Sequence, residues 1–244
     1  MNDVVRIAMW SGPRNISTAM MRSFENRTDA AVWDEPFYGP YLDTTGKPHP
    51  GADEIIATHG SNWEDIVKGV LGPVPGGKPV FYQKHMTHHM LPQTDLSWMN
   101  GMTNCFLIRD PAAVLSSYNV RIDEFDAYDI GFPQQQRLFD HVCDTTGEVP
   151  VILDSKDILK NPQAMLSALC EKLGISFSDN MLHWPPGPRT SDGVWAKHWY
   201  DAVYESTGFA PYREKQIELN ADQQHVVDEC QPSYDLLSQH RLVV

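Results

Sequence analysis

A short apolar segment, residues 4–9, leads into Ser11-Gly12-Pro13-Arg14-Asn15-Ile16-Ser17-Thr18, and residues 18–26 then place Met20, Met21 and Phe24 at helical spacing. A turn between a strand and a helix suits an anion. The first N–H groups of the helix have no acceptor of their own, and the positive end of its dipole lies there. Arg14 adds a permanent charge on a forked donor that matches phosphate, and Ser17 and Thr18 add hydroxyl donors. The pattern is not the P-loop of nucleotide triphosphatases, which needs Gly-Lys before the Ser/Thr, where this chain has Asn15-Ile16. The same residues also read as a tight turn closed by a Ser/Thr cap, so the segment needs partners from elsewhere in the chain.

Charge narrows what those partners serve. The 244 residues carry 19 basic and 32 acidic side chains, a net charge of −13. Such an excess repels polyanions, which argues against nucleic acid or an anionic membrane as a partner. A small anion stays compatible if a few placed cations receive it. The four cysteines (Cys105, Cys143, Cys170, Cys230) are widely spaced and form no CxxC pair, as expected of reduced thiols in a cytoplasmic protein. No basic leader precedes the first strand, and no apolar run reaches the ~18–20 residues that a bilayer requires.

The elements that must position these groups alternate. Strands are expected at residues 4–9, 31–33, 79–84, 103–108 and 150–153. Helices are expected at 18–26, 111–120 and 132–145, twice within 53–70, and over 157–173 with a break at Asn161-Pro162. Residues 39–51, rich in Gly, Pro, Asp and Thr, read as a loop, as does the Trp- and Pro-rich stretch 183–199. Asn220 with Gln223 three places on marks a helix start, and helices are expected over 220–240. Short strands alternating with helices require crossovers, hence an α/β fold on a parallel sheet, here one domain over residues 1–244.

With the turn, a second and a third segment fix a resemblance. Leu107-Ile108-Arg109-Asp110-Pro111 is followed by Ser117-Tyr118, eight positions from Arg109 to Ser117. Residues 151–175 run from a strand through an Asn-Pro helix start to Gly174. Together with the N-terminal turn they resemble the sulfotransferase family, whose members use 3′-phosphoadenosine 5′-phosphosulfate (PAPS) as donor. The resemblance implies a three-layer P-loop-like fold with a central, mostly parallel sheet flanked by helices. It implies that Gly12, Pro13, Arg14, Asn15, Ile16, Ser17 and Thr18 cradle the 5′-phosphosulfate, and that Arg109 and Ser117 hold the 3′-phosphate. Ile16 occupies a place the family often fills with glycine or another small residue. Arg189 to Lys197 is similar to a lid segment that closes over the nucleotide, within a lid region spanning 183–212.

The family reaction is transfer of a sulfuryl group to a hydroxyl or amine of a small-molecule acceptor, with no metal required. Arg14 then stabilises charge on the leaving phosphate. Two residues compete as the base. His85, in Tyr82-Gln83-Lys84-His85-Met86, resembles the strand-end histidine of cytosolic sulfotransferases and is the preferred candidate, since a neutral imidazole suits the task. Glu35, in Asp34-Glu35-Pro36, resembles the strand-end Glu-Pro of some carbohydrate sulfotransferases. His85, His88 and His89 also have a spacing open to metal ligation, but no HExxH pattern accompanies them. Aromatic residues within 184–212 read either as walls of an acceptor pocket or as ordinary packing. A P-loop kinase-like enzyme and a non-catalytic binding module of the same fold stand as alternatives.

Overall fold

The computed structural model describes residues 4–117, 126–214 and 216–244. Five apolar segments bounded by turns form the strands: β1 (Val5–Ser11), β2 (Ala30–Asp34), β3 (Val80–Met86), β4 (Thr103–Ile108) and β5 (Val151–Asp154). They make one sheet in the order β2-β3-β1-β4-β5, and every pairing is parallel, so all five carboxyl ends share one edge. The chain leaves β1 towards β2 and later crosses from β3 to β4 on the other side. The end of β1 is therefore the point where connections diverge, the usual place for a ligand in such sheets.

The helices are α1 (Ser17–Glu25), α2 (Tyr38–Thr45), α3 (Ala52–His59), α4 (Trp63–Leu71), α5 (Pro111–Ser117), α6 (Phe132–Thr146), α7 (Ser155–Lys160), α8 (Pro162–Lys172), α9 (Ala196–Trp199), α10 (Asp201–Tyr204) and α11 (Ala221–Ser238). The two-residue period of the strands divides the core. Ile7 and Met9 of β1 join Met20, Met21 and Phe24 of α1 and Leu166 and Leu169 of α8 on one face. Ala8 and Trp10 join Ile66 and Val70 of α4, Leu138 and Phe139 of α6, and Leu237 of α11 on the other. Phe24 stacks on Tyr82 with ring centroids 4.4 Å apart. A side chain buried in this way contributes about 1.5–3 kcal/mol. The α/β class and the layered parallel sheet match the expectation.

Three local differences have physical causes. Residues 39–45, expected as loop, belong to α2, because Tyr38, Tyr41 and Leu42 gain burial against Ile55, Trp195 and Tyr200. Pro40 is tolerated since it lies in the first turn, where its N–H would have had no helical acceptor. The C-terminal region is a single helix with Pro232 inside it, opened by the expected Asn220–Gln223 capping box. Within 183–199 the chain is mostly turns and closes with α9. The helix expected over 111–120 is described to Ser117; residues 118–120, with Tyr118, lie outside the described residues. Asn161 caps α8 by accepting from the Ala164 N–H, as the Asn-Pro pair implies.

Candidate active site

The turn after β1 is held by close contacts. A Cβ at Gly12 would lie 2.6 Å from the Ile130 carbonyl oxygen, so only glycine lets the chain pass there. Two residues on, the Asn15 side chain is buried and donates to the Leu107 carbonyl on β4 (2.6 Å), which also receives Gln135 Nε2 at 3.0 Å. Arg14 (φ 57°) and Ile16 (φ 32°) are both left-handed. For a β-branched residue that conformation is an outlier, a strain of order 1–3 kcal/mol. Ile16 is held there by packing its side chain on the α1-side core.

That strain orients the start of α1. Ile16 is its N-cap and offers no side-chain bond, and the first backbone bond runs from the Met20 N–H to the Ile16 carbonyl. The N–H groups of Ser17, Thr18 and Ala19 thus have no helical acceptor. No acidic residue lies in the first turn. Among the described residues the Ser17 and Thr18 hydroxyls have no hydrogen-bond partner. The end is prepared for an anion brought from outside.

Two guanidiniums meet beside it. Arg109, just past β4, donates from Nη1 to the Arg14 carbonyl, and Arg14 Nε donates to the Ser117 carbonyl at 3.0 Å. Burial lowers the Arg109 pKa, the Arg14 charge lowers it further, and Asp110, Asp154 and Tyr212 oppose. Among the described residues neither arginine has a carboxylate within ion-pair distance. In a chain of net charge −13, this pair stands without an ion-pair partner among the described residues. The Ser117 hydroxyl donates back to the Val114 carbonyl (2.7 Å).

At the ends of β2 and β3 the arrangement is the reverse. Lys84 is buried, and its ammonium donates to Asp34 Oδ1 (2.9 Å), Glu35 Oε1 (2.6 Å) and the Tyr200 hydroxyl (2.6 Å), using all three protons. The Tyr200 hydroxyl in turn donates to Asp34 Oδ2 (2.7 Å) and accepts from Trp195 Nε1 (3.3 Å), while the Gly193 N–H approaches the same carboxylate oxygen at 3.4 Å. Glu35 is the third non-glycine residue with positive φ (42°) among those described, so all three belong to these two neighbouring loops. Its Oε2 accepts no hydrogen bond within the described residues; His89 Nε2 lies 3.9 Å away, on an imidazole whose pKa burial holds well below its ordinary value. Burial raises the Glu35 pKa and the Asp34 charge adds to this, against the opposing pull of Lys84. Burial likewise works against the Lys84 charge, but Asp34, Glu35 and Tyr200 together hold it well above its ordinary value.

The family described as "Sulfotransferase domain" matches residues 5–238. This chain belongs to the sulfotransferase domain family. Two curated relatives from Arabidopsis thaliana, branched-chain-amino-acid aminotransferase-like proteins 2 and 1, are each 32% identical over 234 residues. The match takes in 96% of this chain but only 41% and 42% of those proteins, so the chain spans about two fifths of their length. Among solved structures, a sulfotransferase from Alicyclobacillus acidocaldarius superposes with a TM-score of 0.59 at 10% identity, covering 98% of this chain and 97% of that one. The sulfotransferase domain from the curacin biosynthetic pathway gives 0.52 at 13% identity, covering 95% and 99%. Those identities carry the fold.

On that sulfotransferase fold, the candidate residues fall into three groups. Gly12, Pro13, Arg14, Asn15, Ile16, Ser17, Thr18, Arg109 and Ser117 come together around the start of α1. Glu35 stands at the same sheet edge, two strands away. His85, Arg189 and Lys197 do not join them. His85 lies on the other face of the sheet between Trp10, Phe37 and Trp98, bonded to Gln83 Oε1 at 3.2 Å, and burial drives its pKa down to about 3. Arg189 lies by the far end of α1, near Glu25 (4.0 Å), with Nη2 on the Pro185 carbonyl. Glu25 is eight residues beyond Ser17, about 12 Å along the helix. Lys197 pairs with Glu54 on α3 (2.5 Å). Among the described residues no cluster of three or more His, Cys, Asp or Glu side chains has metal-binding geometry, and no helix is long and apolar enough to cross a membrane. Asp34, Lys84 and Tyr200 escaped the sequence reading. A signal existed for Asp34, a charge closing an otherwise apolar parallel strand, and for Lys84, a charge inside a parallel strand buried along its length.

Proposed function

We propose that this chain, acting as one domain, transfers a sulfuryl group from PAPS to a hydroxyl or amine of a small-molecule acceptor. The observation that carries the reading is the pair Arg14–Arg109, without an ion-pair partner among the described residues, beside a helix start whose N–H and hydroxyl donors are unused among those residues. In this reading the 5′-phosphosulfate lies on the start of α1, with Arg14, Ser17 and Thr18. The 3′-phosphate is taken by Arg109 and by the Ser117 hydroxyl, turned from the Val114 carbonyl to donate to it.

Glu35 is favoured over His85 as the base, because its Oε2 is unclaimed whereas His85 is enclosed by rings. A carboxylate whose pKa is raised by burial is a better proton acceptor than an exposed one. Glu35 takes the acceptor's proton as the acceptor oxygen attacks sulfur in line. The bond from sulfur to the bridging oxygen breaks, and 3′,5′-adenosine diphosphate leaves with its new phosphate charge facing Arg14 and the α1 dipole. The products are the sulfate ester, the diphosphate and a proton on Glu35.

Calorimetry with 3′,5′-adenosine diphosphate tests the donor. Binding by the intact chain, with a loss of at least ~10-fold in Arg14→Ala and Arg109→Ala, is expected. No binding would remove the reading. Greater thermal stabilisation by ATP with magnesium would replace it with the kinase-like alternative.

A further inference from the structure

Resting on that reading, we infer that Lys84 is a positioning residue for the Glu35 carboxylate, and that Tyr200 ties this positioning to the seating of residues 193–200. The geometry is closed on every side but one. Lys84 spends its three protons on Asp34, Glu35 and Tyr200, and so cannot rotate without losing a buried bond. Asp34 has its two oxygens divided between Lys84 on one side and Tyr200 with Gly193 on the other. Tyr200 is itself bonded to Trp195, which is buried against Tyr38 with ring centroids 5.0 Å apart. Glu35 is pinned through Oε1, and its backbone N–H donates to the Lys84 carbonyl (3.0 Å), which leaves Oε2 aimed free of the network. Lifting 193–200 would strip Asp34 Oδ2 of both its donors and leave one Lys84 proton without an acceptor, an expensive state for buried polar groups. The segment that the family resemblance marks as a lid is thus fastened to the proposed base by one hydroxyl.

Tyr200→Phe deletes that hydroxyl and little else. Amide hydrogen exchange across 193–200 should quicken at least ~10-fold in this variant while α1 keeps its protection. The Glu35 side-chain carboxyl carbon NMR signal, assigned by its disappearance in Glu35→Gln, should move. Lys84→Met should do the same more strongly, with kcat falling and the donor KM unchanged; Lys84→Arg should restore part of kcat. Should Lys84→Met fail to fold, Tyr200→Phe still decides. Unchanged exchange together with an unmoved Glu35 signal in Tyr200→Phe overturns the inference. A chain that transfers no sulfuryl group but shows both changes keeps the fastening and loses only the proposed reaction. A donor KM that rises in step with any loss of kcat would show that Lys84 acts on donor binding and would overturn its assigned role.

Discussion

The two halves of the candidate site meet at one sheet edge but treat charge in opposite ways. Around Arg14 and Arg109, cations face each other with no carboxylate at ion-pair distance among the described residues. Around Lys84, two carboxylates and a phenol close on one ammonium, and the side chains are within 2%, 1% and 11% exposure for Lys84, Asp34 and Glu35. The first half keeps unpaired donors among the described residues; the second pairs its charged groups with one another and leaves Glu35 Oε2 open. It follows that substitutions in the first should change binding and spare stability, while those in the second should strike stability as well. An anion-binding loop gains affinity from being unsatisfied, whereas a buried base has to be held.

The largest expected effect tests the second half. Lys84→Ala leaves Asp34 and Glu35 buried without their cation and should cost about 3–5 kcal/mol of unfolding free energy in denaturant titration. A loss below about 1 kcal/mol would erase the contrast between the halves. Next, Arg14→Ala and Arg109→Ala should each weaken diphosphate binding at least ~10-fold, with stability in buffer changed by no more than about 0.5 kcal/mol. Calorimetry and chemical denaturation on the same preparations separate the two outcomes.

A smaller effect is set by pH. Since Glu35 has its folded pKa raised, the folded state holds the proton over a range where the unfolded chain has lost it. Stability from this group is full below the ordinary carboxylate value of 4.5 and declines as pH rises towards the raised value. Glu35→Gln should remove that decline. In turnover, the acid limb attributed to Glu35 should lie above 4.5 and vanish in the same variant. His85 runs the other way: with its pKa lowered to about 3, its contribution is full above 6.5 and is lost as pH falls towards 3. Denaturation of His85→Gln against pH should show a flatter acid side. The smallest change concerns strain. Ile16→Gly relieves a left-handed isoleucine but surrenders its packing on the α1-side core, so net stability should move by no more than about 1 kcal/mol.

The layered sheet was legible because strand and helix periods differ, and because Arg109 to Ser117 and the turn after β1 keep their spacing through the fold. The loop was legible as a type but not in its strain: nothing in the letters says that Ile16 accepts a positive φ, a choice made by its packing and by the Asn15 side chain reaching β4. α2 was hidden since Gly39 and Pro40 disfavour a helix locally, and only contacts with Trp195 and Tyr200, far along the chain, repay it. His85 was preferred over Glu35 on its resemblance to the family's strand-end histidine and on the fitness of a neutral imidazole as base. Residue alternation on β3 places it on the face opposite Lys84, and that parity was countable in advance. Tyr200 could not be found from sequence, for its partner Asp34 lies 166 residues away.

Ile130 and Gly131 sit between the two halves. The Ile130 carbonyl presses on Gly12, while a Cβ at Gly131 would lie 2.3 Å from Thr87 Oγ1, whose hydroxyl donates to the Gly131 carbonyl. One peptide unit is thereby wedged, with no slack, between the loop that would take the donor and the turn that carries His88 and His89. A methyl group added at Gly12 or at Gly131 would press on this peptide unit, so the turns that follow β1 and β3 share a common mechanical stop.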